Sequence, residues 1–122
     1  MFEKFLRKVW NRRNTATRVS LHITVKTQDP DGNLHEMISE DINDSGVRLR
    51  FEKVGLATVL GHREEVPLQL CLENEEIPIE ALSQLVWAYN TSQGGSISGW
   101  RFVNFNSGAE RRLHSFLDAQ AS

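Results

Sequence analysis

Val19, Leu21, Ile23 and Val25 alternate with Ser20, His22, Thr24 and Lys26, a period of two that predicts a half-buried β-strand. Asp29-Pro30-Asp31-Gly32 then supplies turn chemistry, because proline fixes φ and glycine accepts positive φ. A second strand is predicted from Leu34 towards Ile42. Asn43-Asp44-Ser45-Gly46 breaks it, and Val47, Leu49 and Phe51 resume the alternation. Val66, Leu68, Leu70 and Leu72 alternate again, and Ile77 to Tyr89 is long enough for a bent strand. Gln93-Gly94-Gly95-Ser96 reads as a loop, and Gly99 to Phe105 as the last strand.

Both ends of the chain change period. Phe2, Phe5, Leu6, Val9 and Trp10 share one face at helical spacing, which predicts a short amphipathic helix over residues 2–11. Docking on its own barrel suits so short a helix better than lying on a membrane. Ser107 and Glu110 fit a capping box ahead of a closing helix whose apolar face is Ala109, Leu113, Phe116 and Leu117. Short alternating strands between terminal helices close most readily into a barrel, which removes exposed edges. The fold class is therefore all-β: a small six-stranded antiparallel β-barrel with a short N-terminal helix and a C-terminal helix. Residues 1–18 form the helix and an arginine-rich arm, and residues 19–122 the barrel with its closing helix.

The 122 residues suffice for one domain, with 39% apolar and 25% charged residues, an ordinary soluble composition. No apolar run approaches the ~18 residues of a membrane helix. The N-terminus lacks the continuous apolar segment of a signal peptide. Cys71 is the single cysteine, so no internal disulfide forms, and its strand-like position reads as a small buried thiol. These features predict a cytoplasmic protein. Net charge is −2 but uneven: residues 1–18 carry six basic residues against Glu3, a net of +5, and the remainder a net of −7. A basic arm on an acidic body predicts a local anionic partner and argues against binding long nucleic acid.

Catalytic and metal chemistry find no support. His22, His35, His62 and His114 are scattered without metal-ligand spacing, and no nucleophile elbow is present. Glu64-Glu65 and Glu75-Glu76 fall in predicted turns, where solvation explains them. Two segments do carry recognition chemistry. Arg12-Arg13-Asn14-Thr15-Ala16-Thr17-Arg18 is a basic stretch leading into the first strand, and Asp41-Ile42-Asn43-Asp44-Ser45-Gly46 is a polar turn between two strands. Arginine's planar fork grips a phosphate or the O6/N7 edge of guanine. Asp41 can accept from guanine N1–H and N2–H, Asn43 can donate and accept beside it, and Gly46 permits close backbone approach.

In order and spacing these segments resemble the PilZ domain family across nearly the whole chain. That family carries an RxxxR motif before its first strand and a [DN]xSxxG motif after its second. Arg18-Val19-Ser20-Leu21 resembles the second motif arginine entering the strand, and Asp41-x-Asn43-x-x-Gly46 resembles the second motif. Val86-Trp87, Gly99-Trp100-Arg101-Phe102 and Glu110-Arg111-Arg112-Leu113 resemble the later strands and the closing helix. Two positions depart from the pattern. Asn14 stands four residues before Arg18, with Arg13 and Arg12 one and two positions further back, and Asn43 replaces serine.

The resemblance implies a bacterial receptor for cyclic di-GMP, not an enzyme, with no cofactor and no metal. Arg12, Arg13 and Arg18 would hold phosphate or guanine, Asp41, Asn43 and Gly46 the guanine edge, and Trp87 would be a stacking residue or a tryptophan in the barrel wall. The signal would pass from a monomer or homodimer to a downstream protein partner in motility, pili, exopolysaccharide or biofilm control. The alternative is a degenerate PilZ adaptor that binds no nucleotide and acts through protein contacts.

Overall fold

The predicted alternation is realised in a computed structural model that describes residues 21–73 and 75–121. The strands are β1 (Thr24–Gln28), β2 (Leu34–Ile42), β3 (Gly46–Phe51), β4 (Val66–Cys71), β5 (Ile79–Asn90) and β6 (Ser96–Phe105). A short helix α1 (Leu56–Leu60) lies between β3 and β4, and α2 (Ala109–Ala121) follows β6. The strands close into a barrel in the order β1-β2-β3-β6-β5-β4, with β1 pairing antiparallel to β4 to seal it. The expected N-terminal helix over residues 2–11, the arm with Arg12, Arg13 and Arg18, and the 18/19 boundary lie outside the described residues.

Inward positions of the strands build one core. Val25, Ile42, Val47, Leu49, Leu68, Leu70, Ile79 and Trp100 are wholly buried in it. Trp100 brings a polar atom inside, and its indole Nε1–H donates to Ser98 Oγ at 2.8 Å, so the burial leaves no orphaned donor. Ala109, Leu113, Phe116 and Leu117 of α2, the apolar face expected from the sequence, join this core.

Several boundaries differ from the sequence expectation. The first strand begins at Thr24, not Val19, because the Ser39 side chain takes over the pairing at Leu21–Ile23. The Ile23 amide donates to Ser39 Oγ at 2.9 Å, and Ser39 Oγ donates to the Leu21 carbonyl. The last strand begins at Ser96, three residues before Gly99, because Thr91 and Gly95 close the preceding turn between themselves: Thr91 N–H donates to Gly95 O at 2.8 Å. The helix α1 was not anticipated; its five residues bury Ala57 and Leu60 and are too few to show a period. The capping box of Ser107 and Glu110 is out of register. Gly108, at φ +78°, is the residue before the helix, and the Arg112 amide donates to its carbonyl at 3.1 Å. Cys71 ends β4 half-buried instead of fully buried.

Candidate functional site

The β2–β3 turn is organised by Asn43. This side chain is fully buried, and its Oδ1 accepts from the Ser45 amide at 2.8 Å and the Gly46 amide at 3.0 Å. The Asn43 amide in turn donates to Gly46 O at 3.0 Å. Asn43 thus shapes the turn, an Asx role that serine at the same position would fill less completely. Gly46 opens β3 opposite Arg101.

Asp41 owes its position to a bulge. Ser39 opposes Leu49, yet Asp41 opposes Arg48, so Glu40 is an extra residue in β2. Without it, Asp41 would oppose Val47 and point into the core. The insertion re-aims Asp41 to the outer wall beside Arg48. There its carboxylate, with a side chain 2% exposed, accepts from Arg48 Nε at 2.9 Å and from Arg48 Nη2. The Arg48 pKa is raised from its ordinary value, chiefly by the hydrogen bond to Asp41.

A second bulge does the same for Trp87. Leu85 opposes the buried Trp100, whereas Trp87 opposes Gly99, which makes Val86 the extra residue in β5. Trp87 therefore lies half-buried on the outside of the barrel and not within its core. Its ring rests on Gly99: a Cβ at that position would sit 2.3 Å from Trp87 Nε1 and Cε2, closer than any real contact. Only glycine admits this approach. Tyr89 continues the aromatic surface, its ring centroid 5.4 Å from that of Trp87.

The ladder connects these residues. Asp41 opposes Arg48, Arg48 opposes Gly99, and Gly99 opposes Trp87, so one transverse row crosses β2, β3, β6 and β5. With adjacent strands ~4.8 Å apart, the row spans about 14 Å. The structure thus gathers Asp41 and Trp87, predicted from sequence, with Arg48 and Gly99, which sequence reasoning had not assigned to the site. The signal for Arg48 was present: an arginine at an outward position of β3 is read by counting two residues on from Gly46. Arg12, Arg13 and Arg18 lie outside the described residues. Their segment reaches the barrel at Leu21, whose carbonyl is held by Ser39, two residues from Asp41.

A wider groove of about 790 Å³ runs between the end of β6 and α2, lined by Asp44, Asn104, Glu110, Arg111, His114 and Asp118 among others. Among the described residues no group of His, Cys, Asp and Glu could hold a metal ion, and no helix is long and apolar enough to cross a membrane.

A closed six-stranded antiparallel barrel, with charge and aromatic surface gathered on its outer wall by two bulges, defines a small all-β barrel domain. The sequence matches the PilZ domain over residues 11–119, and the chain belongs to the PilZ domain family. That family consists of receptors and adaptors, not enzymes. Among solved structures the fold is similar to the inhibitor of motility MotI/DgrA of Bacillus subtilis, at 18% identity and a TM-score of 0.69, covering 86% of this chain and 49% of that one. It is also similar to the PilZ domain of YcgR from Escherichia coli, solved with c-di-GMP, at 14% identity and a TM-score of 0.64, covering 85% and 88%. A third is MrkH of K. pneumonia in complex with c-di-GMP, at 21% identity and a TM-score of 0.59, covering 82% and 48%. The chain thus spans about half the length of the MotI and MrkH chains. No curated protein matches it in sequence.

Proposed function

We propose that this PilZ domain is a receptor for cyclic di-GMP, which it binds on the outer wall along the row from Asp41 to Trp87. The observation that carries the reading is the pair of bulges, which turn an acid and an indole out of the barrel into one register with an arginine between them. A ligand with a base at each end can lie across such a row. The arginine arm completes the site. Arg18 stands three residues before Leu21, at most about 10 Å of chain, a length that permits it to lie at the Asp41 end of the row. Arg12 and Arg13 supply further cation for the phosphates. YcgR and MrkH, which share the fold, have been solved with this ligand. The bound state is relayed to a downstream protein partner by the surface that the arm and ligand form together.

One observation favours the second reading, an adaptor that binds no nucleotide: the Asp41 carboxylate is almost wholly buried and already engaged by Arg48. Calorimetric titration with cyclic di-GMP separates the two, with GTP and cyclic di-AMP as controls and Arg18→Ala as the variant. The receptor reading expects micromolar or tighter binding, lost in the variant and absent for the controls. No heat, together with an unshifted melting temperature at high ligand, refutes it and leaves the adaptor.

A further inference from the structure

Which group on the outer wall reads the base follows from how Arg48 and Asp41 share their hydrogen bonds. Asp41 takes Arg48 side-on, through Nε and Nη2, with both of its oxygens engaged. A guanine edge arriving at Asp41 has to compete with a charge-assisted bidentate pair, the strongest kind of hydrogen bonding available to a carboxylate. Side-on pairing leaves the other end of the guanidinium, the parallel N–H groups of Nη1 and Nη2, uncommitted to Asp41. That end matches the O6/N7 acceptors of guanine. The Arg48 side chain is 32% exposed, so it is reached from solvent where Asp41 is not. Its next neighbour in the row is Gly99, which contributes no side chain, and beyond that lies Trp87.

Resting on the receptor reading above, we infer that Arg48 is the guanine-reading residue of the outer wall, and that Asp41 is its positioning residue and not the direct base contact. Asp41 fixes the plane of the guanidinium, and the end-on fork donates to O6 and N7 of one guanine. Adenine is rejected there because its N6 amino group places a donor against a donor. The motif acid then acts one residue removed from the ligand. Arg48 also adds a cation to a chain whose arm has asparagine at position 14, where the family pattern has arginine.

The test uses the full chain, cyclic di-GMP and its 7-deaza analogue, which lacks the N7 acceptor. Wild type is expected to bind the analogue about tenfold or more weaker, the range of a lost bidentate base contact. Arg48→Lys retains a cation beside Asp41, so it remains folded, but it has no fork. It is expected to bind cyclic di-GMP about tenfold or more weaker and to lose the discrimination between the two ligands. A purely structural role for Arg48 lowers affinity for both ligands equally and leaves their ratio at the wild-type value. Unchanged discrimination in Arg48→Lys, with wild type binding normally, overturns the inference alone. No binding of cyclic di-GMP by wild type overturns the receptor reading and this inference with it.

Discussion

Gly99→Ala puts a methyl group where the Trp87 indole now lies, with Nε1 and Cε2 2.3 Å from the new carbon. The backbone of β6 is held on both sides by β3 and β5, so the ring yields and the strand does not. A tryptophan side chain covers on the order of 200 Å² when fully buried. Re-exposing about half of that at ~25 cal/mol per Å² costs up to about 2.5 kcal/mol. Alanine returns roughly 0.5–1 kcal/mol through its lower backbone entropy in a strand. The net expectation is a destabilisation of about 1.5–2 kcal/mol, read as a lower urea midpoint with unchanged slope. The decisive comparison is the same substitution made in Trp87→Ala. With the ring gone the clash is gone, and Gly99→Ala becomes neutral or stabilising by roughly 0.5–1 kcal/mol. The two changes should therefore couple by about 2.5 kcal/mol in a double-mutant cycle. Additivity within about 0.5 kcal/mol would show that the glycine is not required for the indole, and the account of the row would fail.

Two further outcomes follow from individual hydrogen bonds. Asn43→Ala strands the amides of Ser45 and Gly46 in a buried turn and should cost about 1–3 kcal/mol by thermal or urea unfolding, whereas Asn43→Asp, which keeps the acceptor, should cost clearly less. In the β1–β2 turn the Asp29 carboxyl is held down to about 2, first by the His35 hydrogen bond and next by the Asn33 amide. Its folded value lies below its unfolded value, so the stability it contributes is complete above about pH 4 and is lost as pH falls towards about 2. Urea midpoints measured across that window should show the gap between wild type and Asp29→Asn narrowing on acidification; a constant gap would refute the assignment.

Strands with strict alternation were legible in the sequence. Val47, Leu49 and Phe51 point inward as their spacing demands, and Ala109, Leu113, Phe116 and Leu117 form the helix face that packs into the core. The candidate site was legible as a list of residue types and not as an arrangement. Periodicity assigns a face by parity, and Glu40 and Val86 each break parity by one residue. Nothing in the composition around them announces an insertion, so the partnership of Asp41 with Arg48 and of Trp87 with Gly99 emerges only from register. Asn43 carries a role that the sequence does not announce: its Oδ1 satisfies two backbone amides of the turn. The helix α1 is short enough that tertiary burial of Ala57 and Leu60, and not any local pattern, holds it.

The seal between β1 and β4 has a mechanical consequence. Each of the six strands is hydrogen-bonded to two neighbours, so the barrel is a closed ring and no seam can part without breaking a ladder. A ligand arriving on the outer wall therefore meets a wall that does not give, and its binding energy is not spent on reshaping the sheet. On the receptor reading proposed above, what changes is the relief of the surface: the wall between Asp41 and Trp87 acquires a raised, anionic feature. On that reading, a partner distinguishes the two states by touch at the rim, as a key-reader senses a cut, and not by sensing a strain sent through the barrel.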